Sequence, residues 1–235
     1  MSGPGTADPP WTVVQRDGTR TRLCGGTLLV KEAGMAKGSD GSGGARAMAA
    51  GKLIVAWVAL LWVLEAVDQA SGNALDSFGI QPRRVGELVD VVPSAFMHFG
   101  FEHLMANTLP LLVLGFLAAL RGVGRFLAVA AIIVVVSGLG VWLIAPAGSN
   151  TAGASGLIFG LFGYLVARGF VDRRITDVAL GTVVAVFYGS LLWGVLPTDS
   201  GISWQGHLFG LIGGVLAARL TAEPRALGEA KPAWH

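Results

Sequence analysis

The chain reads as an all-α, polytopic membrane protein, a bundle of six transmembrane helices. Three observations carry that reading. It is 53% hydrophobic and only 14% charged, where soluble domains carry roughly 25% charged residues. From Leu53 onward, apolar stretches recur at about the 20-residue length that crosses a hydrocarbon core. Two of these stretches carry glycines at four-residue steps, the spacing that lets membrane helices approach closely.

Residues 1–50 are rich in Gly, Ser, Thr and Pro, including the run Gly38-Ser39-Asp40-Gly41-Ser42-Gly43-Gly44. No apolar core with a cleavage site follows, so the segment does not read as a secretory signal. It is expected to be a disordered or loosely structured cytoplasmic tail, with a short strand over Cys24–Val30. The bundle domain is expected over residues 51–222, with a short cytoplasmic tail over 223–235.

The first span is expected over about 53–70, with Glu65 and Asp68 marking its far end, and the second over about 103–120. Phe126 to Ala167 contains no charged residue, yet Ala145-Pro146-Ala147-Gly148-Ser149-Asn150 divides it into a third and a fourth span. The fifth is expected over about 177–196, ending at Pro197, and the sixth over about 202–221.

Arg and Lys in short loops set orientation. Arg46 and Lys52 precede the first span, Arg121 and Arg125 follow the second, and Arg168, Arg173 and Arg174 follow the fourth. Arg219 and Arg225 end the sixth, while the 146–152 and 197–201 loops carry no basic residue. Both termini are therefore expected on the cytoplasmic side of the cell membrane. Arg83 and Arg84 depart from this pattern within the long outer loop 71–102. The same loop holds Val85, Leu88, Val89 and Val92 opposite Glu87 and Asp90. That stripe suits either a helix lying in the membrane interface or one packed on the bundle.

A net charge of +2 gives no argument for nucleic acid, and Cys24 alone excludes an internal disulfide or a cysteine metal cluster. Four histidines without an HExxH pattern leave a zinc protease unsupported, so no metal and no cofactor is expected.

Hydrogen-bonding side chains are costly in hydrocarbon and so point to function. Ser155 opens the fourth span behind the helix-starting residues Ser149, Asn150 and Thr151, where free backbone N–H groups can stabilise an oxyanion. His207 sits at similar depth at the start of the sixth. Gly153, Gly156, Gly160 and Gly163 on one span face Gly206, Gly210, Gly213 and Gly214 on the other, and a close crossing there would bring serine and histidine together. His103 and Asn107, four apart, share one helical face and can donate toward an oxyanion. His98 lies in the preceding loop as a brace. No carboxylate is placed to orient His207, so its ring must be held otherwise, by stacking on Phe159. This is a Ser–His dyad.

Together, His98-(four residues)-His103-(three)-Asn107, Gly153-Ala154-Ser155-Gly156 and His207-Leu208-Phe209-Gly210 closely resemble the rhomboid family of intramembrane serine proteases, over about residues 53–221. The resemblance implies a six-helix rhomboid-like core of the bacterial form, with Ser155 as nucleophile and His207 as general base and acid. It also implies oxyanion donors from His103, Asn107 and the Ser155 backbone, and Phe159 under the histidine. Single-span membrane proteins embedded in the lipid bilayer are the implied substrates. Pro82-Arg83-Arg84 stands where many members carry a Trp-Arg pair. The alternative is a catalytically silent rhomboid-like protein that binds client transmembrane helices; such proteins characteristically lose the serine or the histidine, and this chain has both.

Overall fold

The computed structural model describes residues 12–14, 20–22, 39–197 and 202–222. The chain divides into two compact units, Met1–Ser39 and Asp40–His235. In the first, β1 (Thr12–Val14) pairs antiparallel with β2 (Arg20–Arg22), Val13 opposite Thr21. The strand expected over Cys24–Val30 lies outside the described residues, as does the tail 223–235.

The second unit is a helical bundle. Its first helix, α1 (Ser39–Ala70), begins well before the expected boundary at residue 50. Ala45, Ala47, Met48, Ala49 and Ala50 explain the extension, since they are among the best helix formers and outweigh the neighbouring glycines. Ala50, Ile54, Val58 and Leu61 form its buried stripe at helical spacing. Trp57 stacks on Phe96 at 5.3 Å and meets Phe126 edge-on.

Four further helices follow: α2 (Phe101–Ala119), α3 (Val123–Ile144), α4 (Ser155–Asp172) and α5 (Ile175–Tyr188). The 3-10 segment Gly189–Val195 continues α5, and α6 (Trp204–Leu220) closes the bundle. Five helical segments among the described residues are long and apolar enough to cross a membrane, the fifth combining α5 with its 3-10 extension. The chain is a multi-pass membrane protein. At 17 residues α6 falls short of the other spans. The break expected between the third and fourth spans lies where α3 ends and α4 has not begun.

α4 is the central helix: 67% of its most apolar window is buried, against 11% for the window of α5. The glycines make its crossing with α6 very close. A Cβ at Gly160 would stand 2.8 Å from the Gly210 carbonyl oxygen, and one at Gly163 would stand 2.9 Å from that of Leu211. Without side chains between them, the two backbones touch. At the end of α4 away from Ser155, Arg168 grips Asp172 through two nitrogens at 2.9 and 2.8 Å, and Arg121 reaches Asp177 at 2.7 Å. These pairs tie the ends of α2, α4 and α5 together, each buried charge meeting its opposite.

The loop between α1 and α2 is ordered as three short 3-10 helices: η1 (Ala74–Phe78), η2 (Val85–Val91) and η3 (Pro93–Ala95). Along η2 and its cap the expected apolar stripe faces outward, with Val85, Val89 and Val92 at 74, 75 and 52% exposure and Leu88 half-buried, while Asp90 and Val91 are buried. The stripe is therefore not packed on the bundle, and an apolar face left open in this way suits the membrane interface. Val91 seats the turn against α3 where Gly138 leaves room, a Cβ there standing 2.7 Å from the Val91 side chain.

The arginines that departed from the charge pattern also find a structural use. Arg83 Nη1 donates to the carbonyls of Leu143 and Ala145 at 3.2 and 2.8 Å, and the Trp142 indole donates to the Arg84 carbonyl. A cation on the last carbonyls of a helix satisfies them and complements the helix dipole. Arg83 caps α3.

Candidate active site

Ser155 is the first residue of α4, and the backbone reaches it through Gly153 in a conformation (φ 131°) that residues with a Cβ rarely adopt. A Cβ at Gly153 would stand 2.7 and 2.9 Å from Cε1 and Nε2 of His103 and 3.8 Å from the Ser155 hydroxyl oxygen. The missing side chain thus lets the His103 ring lie against the backbone beside Ser155. Gly153 supplies space rather than a donor, because its own N–H is taken by the Ser94 carbonyl at 2.9 Å.

The next N–H is also occupied. Ala154 N donates to His98 Nε2 at 3.3 Å, and His98 packs edge-on against His103 with centroids 5.1 Å apart. The loop before Ser155 is therefore pinned by two consecutive backbone bonds. The following N–H groups, starting with that of Ser155, belong to the first turn of α4 and have no partner within the helix.

His98 accepts at Nε2 and must therefore be neutral. Burial first, then the nearby His103, lower its pKa from 6.5 to about 4, against a smaller opposing effect of the Phe96 backbone. In the unfolded chain the ring takes up a proton at higher pH than in the fold. The stability it contributes is thus complete above about pH 6.5 and drains away as the pH falls toward about 4, a loss on the order of 3 kcal/mol. Thermal melts of the purified protein across this range should show that acid-side drop. The His98→Gln variant, whose side-chain oxygen can accept from Ala154 without titrating, should show much less of it.

His207 lies on the first turn of α6, and its ring stacks on Phe159 with centroids 3.9 Å apart and planes 7° from parallel. Phe159 is one turn after Ser155 on the same face of α4. The other edge of the imidazole meets the Gly194 carbonyl, with Nδ1 at 2.9 Å. A carbonyl oxygen only accepts, so Nδ1 carries the proton and Nε2 keeps its lone pair. Gly194 needs to be glycine here, since a Cβ would stand 2.7 Å from Phe159 and 3.1 Å from His207 Nδ1.

Ser155, His207, His103, Asn107, Phe159 and Gly194 all border one cavity of about 910 Å³. Asn107 is 5% exposed and donates one amide hydrogen to the His103 carbonyl at 2.8 Å, leaving its second hydrogen free to donate. Of the residues singled out from the sequence, His98 and Gly153 do not border this cavity; His98 braces the loop before Ser155 and Gly153 lies within it. No residue type announces the Gly194 and Ser94 carbonyls, because every residue carries the same backbone carbonyl. No group of three or more His, Cys, Asp or Glu suited to a metal occurs among the described residues.

A hydroxyl and an imidazole opening on one cavity, with free helix N–H groups beside them, invite comparison with known proteins. The Rhomboid domain profile matches residues 85–224. This chain belongs to the rhomboid family. It is 45% identical over 182 residues to the uncharacterized protein Rv1337 of Mycobacterium tuberculosis, covering 74% of this chain and 76% of that one. It is also 40% identical over 224 residues to the uncharacterized protein ML1171 of Mycobacterium leprae, covering 88% and 89%. The rhomboid protease GluP of Bacillus subtilis is 30% identical over 181 residues, 74% of this chain but 35% of the longer relative. The placement of Ser155 and His207 in this rhomboid can thus be weighed as protease chemistry.

Proposed function

We propose that this rhomboid is an intramembrane serine endopeptidase that cuts single-span membrane proteins with a Ser155–His207 dyad. The observation that carries the reading is the His207 ring, stacked on Phe159 and held at Nδ1 by the Gly194 carbonyl, with Nε2 left as a base beside the cavity that Ser155 opens into. In this mechanism Nε2 takes the Ser155 hydroxyl proton as the oxygen attacks the scissile carbonyl. The developing oxyanion accepts hydrogen bonds from the Ser155 N–H, Asn107 Nδ2 and His103. His207 then gives its proton to the departing amine, and water releases the acyl group by the same steps in reverse order. The ring stack and the carbonyl together do the orienting that a carboxylate does in a triad.

In this reading α6 completes a six-span bundle in the cytoplasmic membrane of a bacterium, both termini lie in the cytoplasm, and the cavity opens toward the outer leaflet. The Arg-rich loops on the side away from Ser155 support that orientation. A transmembrane substrate hides its carbonyls in its own helical hydrogen bonds, so it must unwind before attack. Cleaved substrates should carry Gly, Pro or small polar residues near the outer end of the span. Replacing these with Leu in a cleaved substrate should slow hydrolysis at least about tenfold, the effect of some 1.4 kcal/mol against unwinding. Equal cleavage of the all-Leu form, or a cut mapped to the cytoplasmic end, would overturn this account of access.

A further inference from the structure

The end of α1 nearest η1 carries buried carboxylates that the proteolytic reading does not use. Glu65 and Asp68 are 2 and 3% exposed, and Glu65 Oε2, Asp68 Oδ2 and Asp76 Oδ1 are buried without a hydrogen-bond partner. Glu65 Oε1 accepts from Gln69 at 3.1 Å, and Asp68 Oδ1 accepts from the Leu75 N–H at 2.6 Å. The chain turns back on itself through Gly72 (φ 72°) and Asn73 (φ 64°), and with the Leu75 N–H bonded to Asp68 Oδ1 the next residue, Asp76, is set beside the Asp68 carboxylate.

Two carboxylates offer only acceptors to one another, and buried acceptors without a donor are costly. None of the three orphaned oxygens has a Lys, Arg or His donor. Glu65, one turn before Asp68 on the same face, adds a further acid, and the loop after α3 contributes the uncharged Asn150. The donor that satisfies this geometry is a proton. We propose that Asp76 holds a proton and donates it to the unpartnered Asp68 Oδ2, and that this bond clamps η1 onto the end of α1. In keeping with this, burial first and then the adjacent Asp68 raise the pKa of Asp76 above 3.8.

The clamp is connected to the cavity rim. The Asp76 carbonyl accepts from Asn150 Nδ2 at 2.8 Å, and Ile80 and Thr151 exchange backbone bonds at 2.8 and 3.1 Å. Asn150 and Thr151 both border the cavity that holds Ser155. With the proton bound, η1 is held and so is this rim. As the pH rises through the elevated pKa of Asp76, the proton leaves, the half-buried Asp76 carboxylate faces that of Asp68, and the turn loosens. The proton's contribution is therefore present in acid and lost on the alkaline side, opposite in sense to that of His98.

Amide hydrogen exchange on the full chain in lipid nanodiscs tests this, read from about pH 4 to about pH 8 and corrected for intrinsic rates. Protection of Leu75, Gly79 and Ile80 should fall several-fold as the pH rises. In Asp76→Asn and in Asp68→Asn, an uncharged amide replaces one acid and donates to the other, so protection should stay high throughout. Infrared spectra of the unaltered protein should show a protonated carboxyl band that disappears in Asp76→Asn. Protection independent of pH, or an unchanged pH response in both folded variants, would overturn the proposal. Recovery of protection by Ca²⁺ at high pH, with no response to acid, would also overturn it in favour of a cation.

Discussion

Ser155→Ala should abolish proteolysis while leaving the bundle intact. The substitution removes one oxygen facing a cavity and leaves the helix start, the Gly153 turn and the α4–α6 crossing as they are. Removing a serine nucleophile or its histidine costs on the order of a millionfold in a soluble serine protease, so cleavage should fall below detection. His207→Ala should do the same and should also end labelling by a fluorophosphonate probe, because His207 is the base that Phe159 and the Gly194 carbonyl orient beside the cavity. The assay is cleavage of a single-span substrate in reconstituted vesicles, with melting temperature recorded alongside. Undiminished cutting by Ser155→Ala would refute the nucleophile. Labelling of His207→Ala at the parental rate would mean another base, and a silent, client-binding role would follow if the unaltered protein neither labels nor cuts.

The second large effect concerns folding. Gly210→Ala should destabilise the protein far more than an alanine elsewhere, since its Cβ would overlap the Gly156 carbonyl, and a backbone atom cannot step aside. Overpacking a well-filled contact costs typically about 1–3 kcal/mol and more where nothing can yield. Gly124→Ala makes the contrast within the same bundle. Nothing lies within 4 Å of a Cβ there, and an alanine in an exposed helical position gains roughly 0.5–1 kcal/mol over glycine. Melting of the two variants in one detergent should move in opposite directions. Equal shifts would show that the glycine crossing does not hold α4 and α6 at this separation. Because Ser155 and His207 start these two helices, Gly210→Ala should also lose activity in any fraction that stays folded.

Much of the bundle was legible in the chain itself. Hydropathy placed α2 to α6 to within a few residues, because the cost of polar groups in hydrocarbon acts on each side chain locally. The break at Ala145–Asn150 and the α4–α6 glycine ladders were readable for the same reason: helix breaking and small size are properties of single residues at fixed spacing. The start of α1 at Ser39 was missed because Gly and Ser signalled a loop, while the alanines that follow carry the helix back through them.

What only the tertiary structure decided is which backbone atoms meet which side chains. His207 is oriented by the Gly194 carbonyl, His98 accepts from the Ala154 N–H, and Arg83 caps α3 through the carbonyls of Leu143 and Ala145. Peptide groups are chemically almost identical along the chain, so no residue type announces that its carbonyl will orient a base. Likewise Asp68 looked like an ordinary residue at the end of a span until the Gly72–Asn73 turn set η1 and Asp76 beside it. Residue type sets what each group can do, and the path of the backbone sets which group it does it to.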